Sequence, residues 1–243
     1  MAAIETKGLT KRYGEITAVR QLSLSVRDGE MIALLGVNGA GKTTAIKMLS
    51  CLTPPDEGEA WLGGHSILTD TEAVKRIINV SPQETAVAKK LTVRENLRFI
   101  AEIHGISKEK VAERVEKMLL DMGLSPVATQ RAGTLSGGWQ RRLSIAMALI
   151  SEPQILFLDE PTLGLDVIAR HELWSYIKTL KGSMTVLLTT HYLEEAEALC
   201  DRIAIMAAGE LITLGTVSQI KELAGKDRFE DAFVALSTRE VRI

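Results

Sequence analysis

The chain has 243 residues, 46% hydrophobic and 25% charged, with a net charge of −2. That supports one core of ordinary size with a small subdomain; the charge gives no reason to expect nucleic acid or an anionic membrane surface as the main partner. No apolar run approaches the roughly 20 residues of a membrane helix, no N-terminal stretch resembles a cleaved signal, and Cys51 and Cys200 lie in apolar surroundings, as packing residues in a reducing compartment do.

A soluble protein is therefore expected, with any membrane role supplied through a partner. Ile4 to Thr10 and Leu22 to Val26 alternate in the manner of strands. Met31 to Leu35 is a continuous apolar run, as in a strand buried on both faces, and leads through a glycine-rich loop into a helix from about Lys42. Ala60 to Leu62 before Gly63-Gly64 reads as another strand and turn. Thr92 and Glu95 form a capping box opening a helix that Gly105 stops, and Ser107 caps a second helix ended by Gly123. A third helix is expected from Gln140 to Ile150. Buried strands then alternate with helices: strand 155–158, helix 166–180, strand 184–190, helix 193–199 and strands 203–206 and 210–214. Thr216 and Gln219 cap a last helix, and the tail from about Lys226 is charged without a clear period. This alternation predicts a parallel sheet in an α/β layer fold.

Gly36-Val37-Asn38-Gly39-Ala40-Gly41-Lys42-Thr43 fits G-x-x-x-x-G-K-[ST], between a buried strand and a helix. Glycines let the backbone N–H groups of such a loop face a phosphate, and the helix N-terminus adds its dipole. Lys42 supplies a charge to the β- and γ-phosphates and Thr43 a hydroxyl to Mg²⁺; Thr44 is assigned to the α-phosphate. Ile155 to Leu158 ends in two carboxylates. Asp159 suits the metal, and Glu160 suits a general base acting on water. His191 follows the next buried strand, and a parallel sheet brings it to the same edge, within reach of a γ-phosphate and of Glu160. His65, His104 and His171 have no such placement. Leu135-Ser136-Gly137-Gly138-Trp139-Gln140 opens a helix and makes a second phosphate-binding terminus. Two phosphate sites with one nucleotide pocket suggest that the second completes the pocket of another copy.

The run L-S-G-G-x-Q resembles the signature of ABC (ATP-binding cassette) ATPases, and its companions stand in order over residues 4 to 220. Gln83 resembles the Q-loop glutamine, Asp166 the D-loop aspartate, His191 the switch histidine and Tyr13 the aromatic that stacks on adenine. Trp139 and Val167 depart from the residues usual at those places, without removing a catalytic group. The resemblance implies an α/β P-loop NTPase core with a parallel sheet, an N-terminal antiparallel β part and an inserted helical subdomain. It divides the chain into a core (1–87 and 152–225), a helical signature subdomain (88–151) and a tail (226–243). It further implies ATP and Mg²⁺ as ligands, with Thr43, Gln83 and Asp159 at the metal. It implies a head-to-tail dimer with a second copy or a paralogue, in which Ser136, Gly137, Gly138, Gln140 and Asp166 meet the nucleotide held by the partner.

Thr189 to Glu197 and the tail 229–236 are similar to the exporter branch that includes drug, antibiotic and sodium-extruding systems. That implies an ATPase subunit held at the inner face of the cell membrane by separate permease subunits, received beside Gln83 and the segment 84–91. The alternative is an ABC ATPase of macromolecular assembly or remodelling.

Overall fold

The computed structural model describes residues 2–238. The N-terminal β elements form an antiparallel sheet. β1 (Ala2–Tyr13) pairs with β2 (Ile16–Leu22), β3 (Ser25–Arg27) and β5 (Glu57–Leu62), and β6 (His65–Ser66) extends β5. The single strand expected over Leu22 to Val26 is two strands, broken at Ser23-Leu24. The Thr6 hydroxyl donates to the Leu22 carbonyl and accepts from the Leu24 N–H, replacing the missing ladder bonds with one buried side chain.

The second sheet has six strands in the order β11, β10, β4, β9, β8, β7. These are β4 (Met31–Leu35), β7 (Ile78–Ser81), β8 (Ile155–Asp159), β9 (Thr185–Thr190), β10 (Arg202–Ala207) and β11 (Glu210–Gly215). All pairings are parallel except β10 with β11. The apolar strands are buried on both sides because side chains alternate between two cores. Met31, Ala33 and Leu35 pack with the helices on one face, while Ile32 and Leu34 pack toward the antiparallel sheet on the other. α1 (Lys42–Leu49) belongs to this second core, through Ala45, Ile46, Met48 and Leu49.

Between β7 and β8 run α3 (Val93–Ile103), α4 (Lys108–Asp121), two short 3₁₀ turns and α5 (Gly137–Leu149). The capping box at Thr92 and Glu95 forms in both directions, and Gly123 adopts the left-handed backbone that ends α4. α5 starts three residues before the expected Gln140. Ser136 is its N-cap residue, and both signature glycines lie in its first turn. α6 (Val167–Thr179), capped by the Asp166 carboxylate, and α7 (Leu193–Leu199) follow, with α8 (Val217–Ala224) after β11. Two helices carried no clear sequence pattern. α2 (Thr71–Ile77) precedes β7, and the tail forms α9 (Phe229–Thr238), which buries Phe229, Ala232 and Leu236. Residues 239–243 of the expected tail lie outside the described residues.

Candidate nucleotide site

Parallel register gathers the site. Leu35 pairs with Thr190, Asp159 with Thr189, and Leu158 with Ser81. Gly36, His191, Glu160 and the Pro82-Gln83 segment therefore leave neighbouring strands at one edge, where ligands of open α/β sheets bind.

The loop after β4 needs its glycines. A Cβ on Gly36 would lie 2.4 Å from the Met206 carbonyl oxygen. One on Gly41, whose φ is +97°, would lie 2.4 Å from the Ala18 carbonyl oxygen. The loop's backbone is thus packed on two other strands and feeds directly into α1. Lys42 is 6% exposed; its ammonium donates to the Gly36 carbonyl at 2.7 Å and the Val37 carbonyl at 3.3 Å. It also faces Glu160 Oε1 at 3.4 Å.

Asp159 and Glu160 diverge sharply although adjacent. Asp159 Oδ1 accepts from the hydroxyls of Thr43, at 3.2 Å, and Thr189. Glu160 turns away because its backbone is left-handed, with φ +49°, a conformation unfavourable for a residue carrying a Cβ. Its N–H donates to the Thr189 carbonyl at 3.1 Å and to the Thr189 hydroxyl at 3.0 Å. Its side chain reaches His191, whose Nδ1 lies 2.8 Å from Oε2. The carboxylate is thereby held between a cation and an imidazole, 5% exposed, beside the phosphate loop.

These groups open onto a cleft of about 390 Å³ lined by Tyr13, Ala18, Asn38, Gly39, Ala40, Gly41, Lys42, Thr43, Thr44, Gln83 and Glu160. Tyr13 is half exposed at its rim; Lys11 stands 5.8 Å from the ring centre and is anchored by Asp56 and the Pro54 carbonyl, each at 2.9 Å. Ser136, Gly137 and Gly138 are absent from this cleft. They line a separate one of about 600 Å³ with Asp166 and the Gly164-Leu165 turn. Ser136 makes no cap hydrogen bond. A Cβ on Gly137 would meet nothing within 4 Å, so no packing inside the chain demands glycine there.

Residues 19–163 match the family described as ABC transporter. This chain belongs to that family. It is an ATP-binding cassette of the ATPase class, and its fold is that of solved cassettes. The structure of an ATP-binding subunit of an ABC transporter superposes with a TM-score of 0.87 at 30% identity, covering 96% of this chain and 99% of that one. A dimeric ATP-binding cassette in a post-hydrolysis state, bound to ADP and Pi, gives 0.80 at 28% identity, covering 88% and 98%. The cassette is 40% identical to the doxorubicin resistance ATP-binding protein DrrA of Mycobacterium tuberculosis, over 99% of this chain and 72% of that protein. It is 40% identical to the linearmycin resistance ATP-binding protein LnrL of Bacillus subtilis, over 92% and 72%. It is 42% identical to the human phospholipid-transporting ATPase ABCA3, over 93% of this chain but 13% of that protein's length.

Three residues of the cassette's site escaped the sequence reading. Thr189 joins Asp159 to the Glu160 backbone; its only sequence signal is a hydroxyl at the end of an apolar strand. Arg141, on α5, is 3% exposed and reaches four backbone carbonyls. Glu195, fully buried on α7, accepts at Oε1 from Thr162 at 2.8 Å and from the Trp174 indole at 3.0 Å. Nothing in their spacing distinguishes Arg141 and Glu195 from surface charges on amphipathic helices. Among the described residues no helix is long and apolar enough to cross a membrane.

Proposed function

We propose that the chain is the ATP-hydrolysing subunit of an export system, working as a head-to-tail pair docked on separate transmembrane permease subunits at the inner face of the membrane. The observation that carries the reading is the separation of the two clefts. The phosphate loop and the signature turn share no lining residue, so one molecule offers two separate half-sites. A partner's nucleotide supplies the reason for a bare Gly137 and an uncommitted Ser136 hydroxyl. The export role rests on likeness to the drug-resistance subunits. The division into a core, a signature-bearing helical unit over 88–151 and a tail from 226 belongs to the same reading.

In this reading the loop N–H groups and Lys42 hold the phosphates, Thr44 adds to the α-phosphate, and Tyr13 stacks on adenine. The oxygen donors at the loop suit Mg²⁺. Thr43, Asp159 and Gln83 make a sparse, hard set, and no cluster of three or more His, Cys, Asp or Glu side chains among the described residues competes for a softer metal. When bound there, Mg²⁺ would neutralise charge on the β- and γ-phosphates. Glu160 accepts the proton of the attacking water, and His191 fixes its carboxylate. Ser136, Gly137, Gly138 and Gln140 of the second copy close over the γ-phosphate, with Asp166 across the interface. Gln83 links that phosphate to the permease-facing segment 84–91. Glu160→Gln with ATP and Mg²⁺ is expected to run as a dimer on a sizing column, while the same protein without nucleotide runs as a monomer. A monomer under both conditions would remove the head-to-tail reading.

A further inference from the structure

Arg141 has no part in the roles proposed above, yet it is the most thoroughly engaged side chain near the site. It lies on α5 one turn past the signature glycines and points into the protein. Its Nε donates to the Pro161 carbonyl at 2.8 Å, Nη2 to the Asp159 carbonyl at 2.6 Å, and Nη1 to the Pro82 carbonyl and, at 3.3 Å, the Gln83 carbonyl. Four acceptors are thus bound by a fork that carries five N–H donors. None of them is a carboxylate. Burial pulls the guanidinium pKa down to about 10, against the favourable fields of Asp159, Glu195 and Glu160, and it stays charged near neutrality. Neutral carbonyls of two backbone segments, 82–83 and 159–161, therefore solvate one buried cation.

The choice of carbonyls gives the arrangement its meaning. Asp159 and Pro161 flank Glu160, the residue held at positive φ. The Glu160 N–H is tied to Thr189, so the Asp159–Glu160 peptide is pinned at both ends, its carbonyl by Arg141 and its N–H by β9, and Arg141 also holds the Pro161 carbonyl just beyond the base. The remaining two acceptors belong to the segment that carries Gln83. A single side chain thus connects the helix of the signature turn, the Gln83 segment and the backbone of Glu160. A lysine ammonium keeps the charge but, as a point donor, lacks the planar fork that spans such a set.

We infer that Arg141 is a positioning residue for hydrolysis, which fixes the Glu160 backbone and the Gln83 segment relative to the signature helix. This rests on the assignment of Glu160 as the base. The test compares wild type, R141K and R141Q with E160Q, by steady-state hydrolysis of MgATP and by amide hydrogen exchange of the nucleotide-free proteins. For R141K and R141Q, kcat is expected to fall at least about tenfold, with KM changed by less than about threefold, because a small misplacement of a reacting group acts on turnover more than on binding. Exchange should rise together at 82–84 and 160–163 and stay unchanged at 143–149. A wild-type kcat in R141K overturns the inference. So does exchange that rises along all of α5, or loss of cooperative melting in both variants, either of which makes Arg141 a scaffold residue. If E160Q hydrolyses ATP at the wild-type rate, the assignment of the base has failed; if E160Q is inactive and R141K is not, only the inference about Arg141 has.

Discussion

Lys42 Nζ and Glu160 Oε1 lie 3.4 Å apart in a nearly water-free corner of the cleft. On the proposed assignment, the cation for the phosphates is thus already partnered by the carboxylate for the water. An arriving γ-phosphate must take Lys42 over and also meets the negative charge of Glu160.

Glu160→Gln should accordingly bind ATP more tightly while hydrolysing it far more slowly. Removing one like charge is expected to lower Kd severalfold, and removing the base should cut kcat by about 10² to 10⁴. Calorimetric titration with ATP beside a phosphate-release assay checks both, and an unchanged or weaker Kd would contradict the competition.

His191 touches Glu160 at 2.8 Å and packs on the Tyr192 ring, with centroids 4.1 Å apart. His191→Ala leaves the carboxylate without its imidazole while the loop and Lys42 remain. The expected result is a loss of about a hundredfold in kcat, the scale set by misplacing a reacting group, with Kd for ATP changed little. Equal losses in binding and turnover would instead place His191 with the phosphate-holding groups.

Gly137→Ala isolates what the signature turn does outside its own chain. Its Cβ would enter open space, and alanine favours a helix over glycine by up to about 1 kcal/mol. Thermal stability should hold or rise, whereas ATP-dependent dimerisation and hydrolysis should fall. Full activity in this variant would show that no nucleotide approaches the turn closely.

Glu195 gives a pH signature. Burial raises its pKa above the ordinary 4.5, partly offset by hydrogen bonds from Thr190, Thr162 and Trp174. The unfolded chain loses this proton first, so the carboxyl lowers stability as pH rises from about 4.5 toward its folded pKa and keeps it lowered beyond. Glu195→Gln has no such proton to lose, and its amide can occupy the position of Oε2, which is buried and unbonded. Melting curves should show Tm of the variant minus that of wild type growing more positive as pH rises above about 4.5. A constant difference would mean that Glu195 does not titrate in this range.

Much of this site was legible in the chain because its geometry follows from strand ends. Gly36, Asp159 and His191 each stand just after or at the end of an apolar run, and parallel register converts that shared position into proximity. The capping residues Thr92 and Thr216 were legible for a similar reason, since their bonds span only three residues. Arg141 and Thr189 were not, because their partners are distant in sequence: backbone carbonyls 18 to 59 residues away for the one, and the Glu160 N–H and Asp159 carboxylate, 29 to 30 residues away, for the other. The start of α5 was misplaced because two glycines weaken any helical pattern, although a first turn tolerates them. The tail helix was missed because its apolar residues run unbroken from Ala232 to Leu236, which masks the helical spacing of the buried Phe229, Ala232 and Leu236, and packing on α8 and β10 determines which of them are buried.

On the proposed head-to-tail pairing of two copies, the two clefts of one molecule also set how it responds to dilution. A catalyst split across two identical chains turns over in proportion to the square of its concentration wherever monomers prevail. Any scaffold that fixes two copies side by side replaces that dependence with a constant effective concentration. Attachment would then govern the rate before a substrate is ever present.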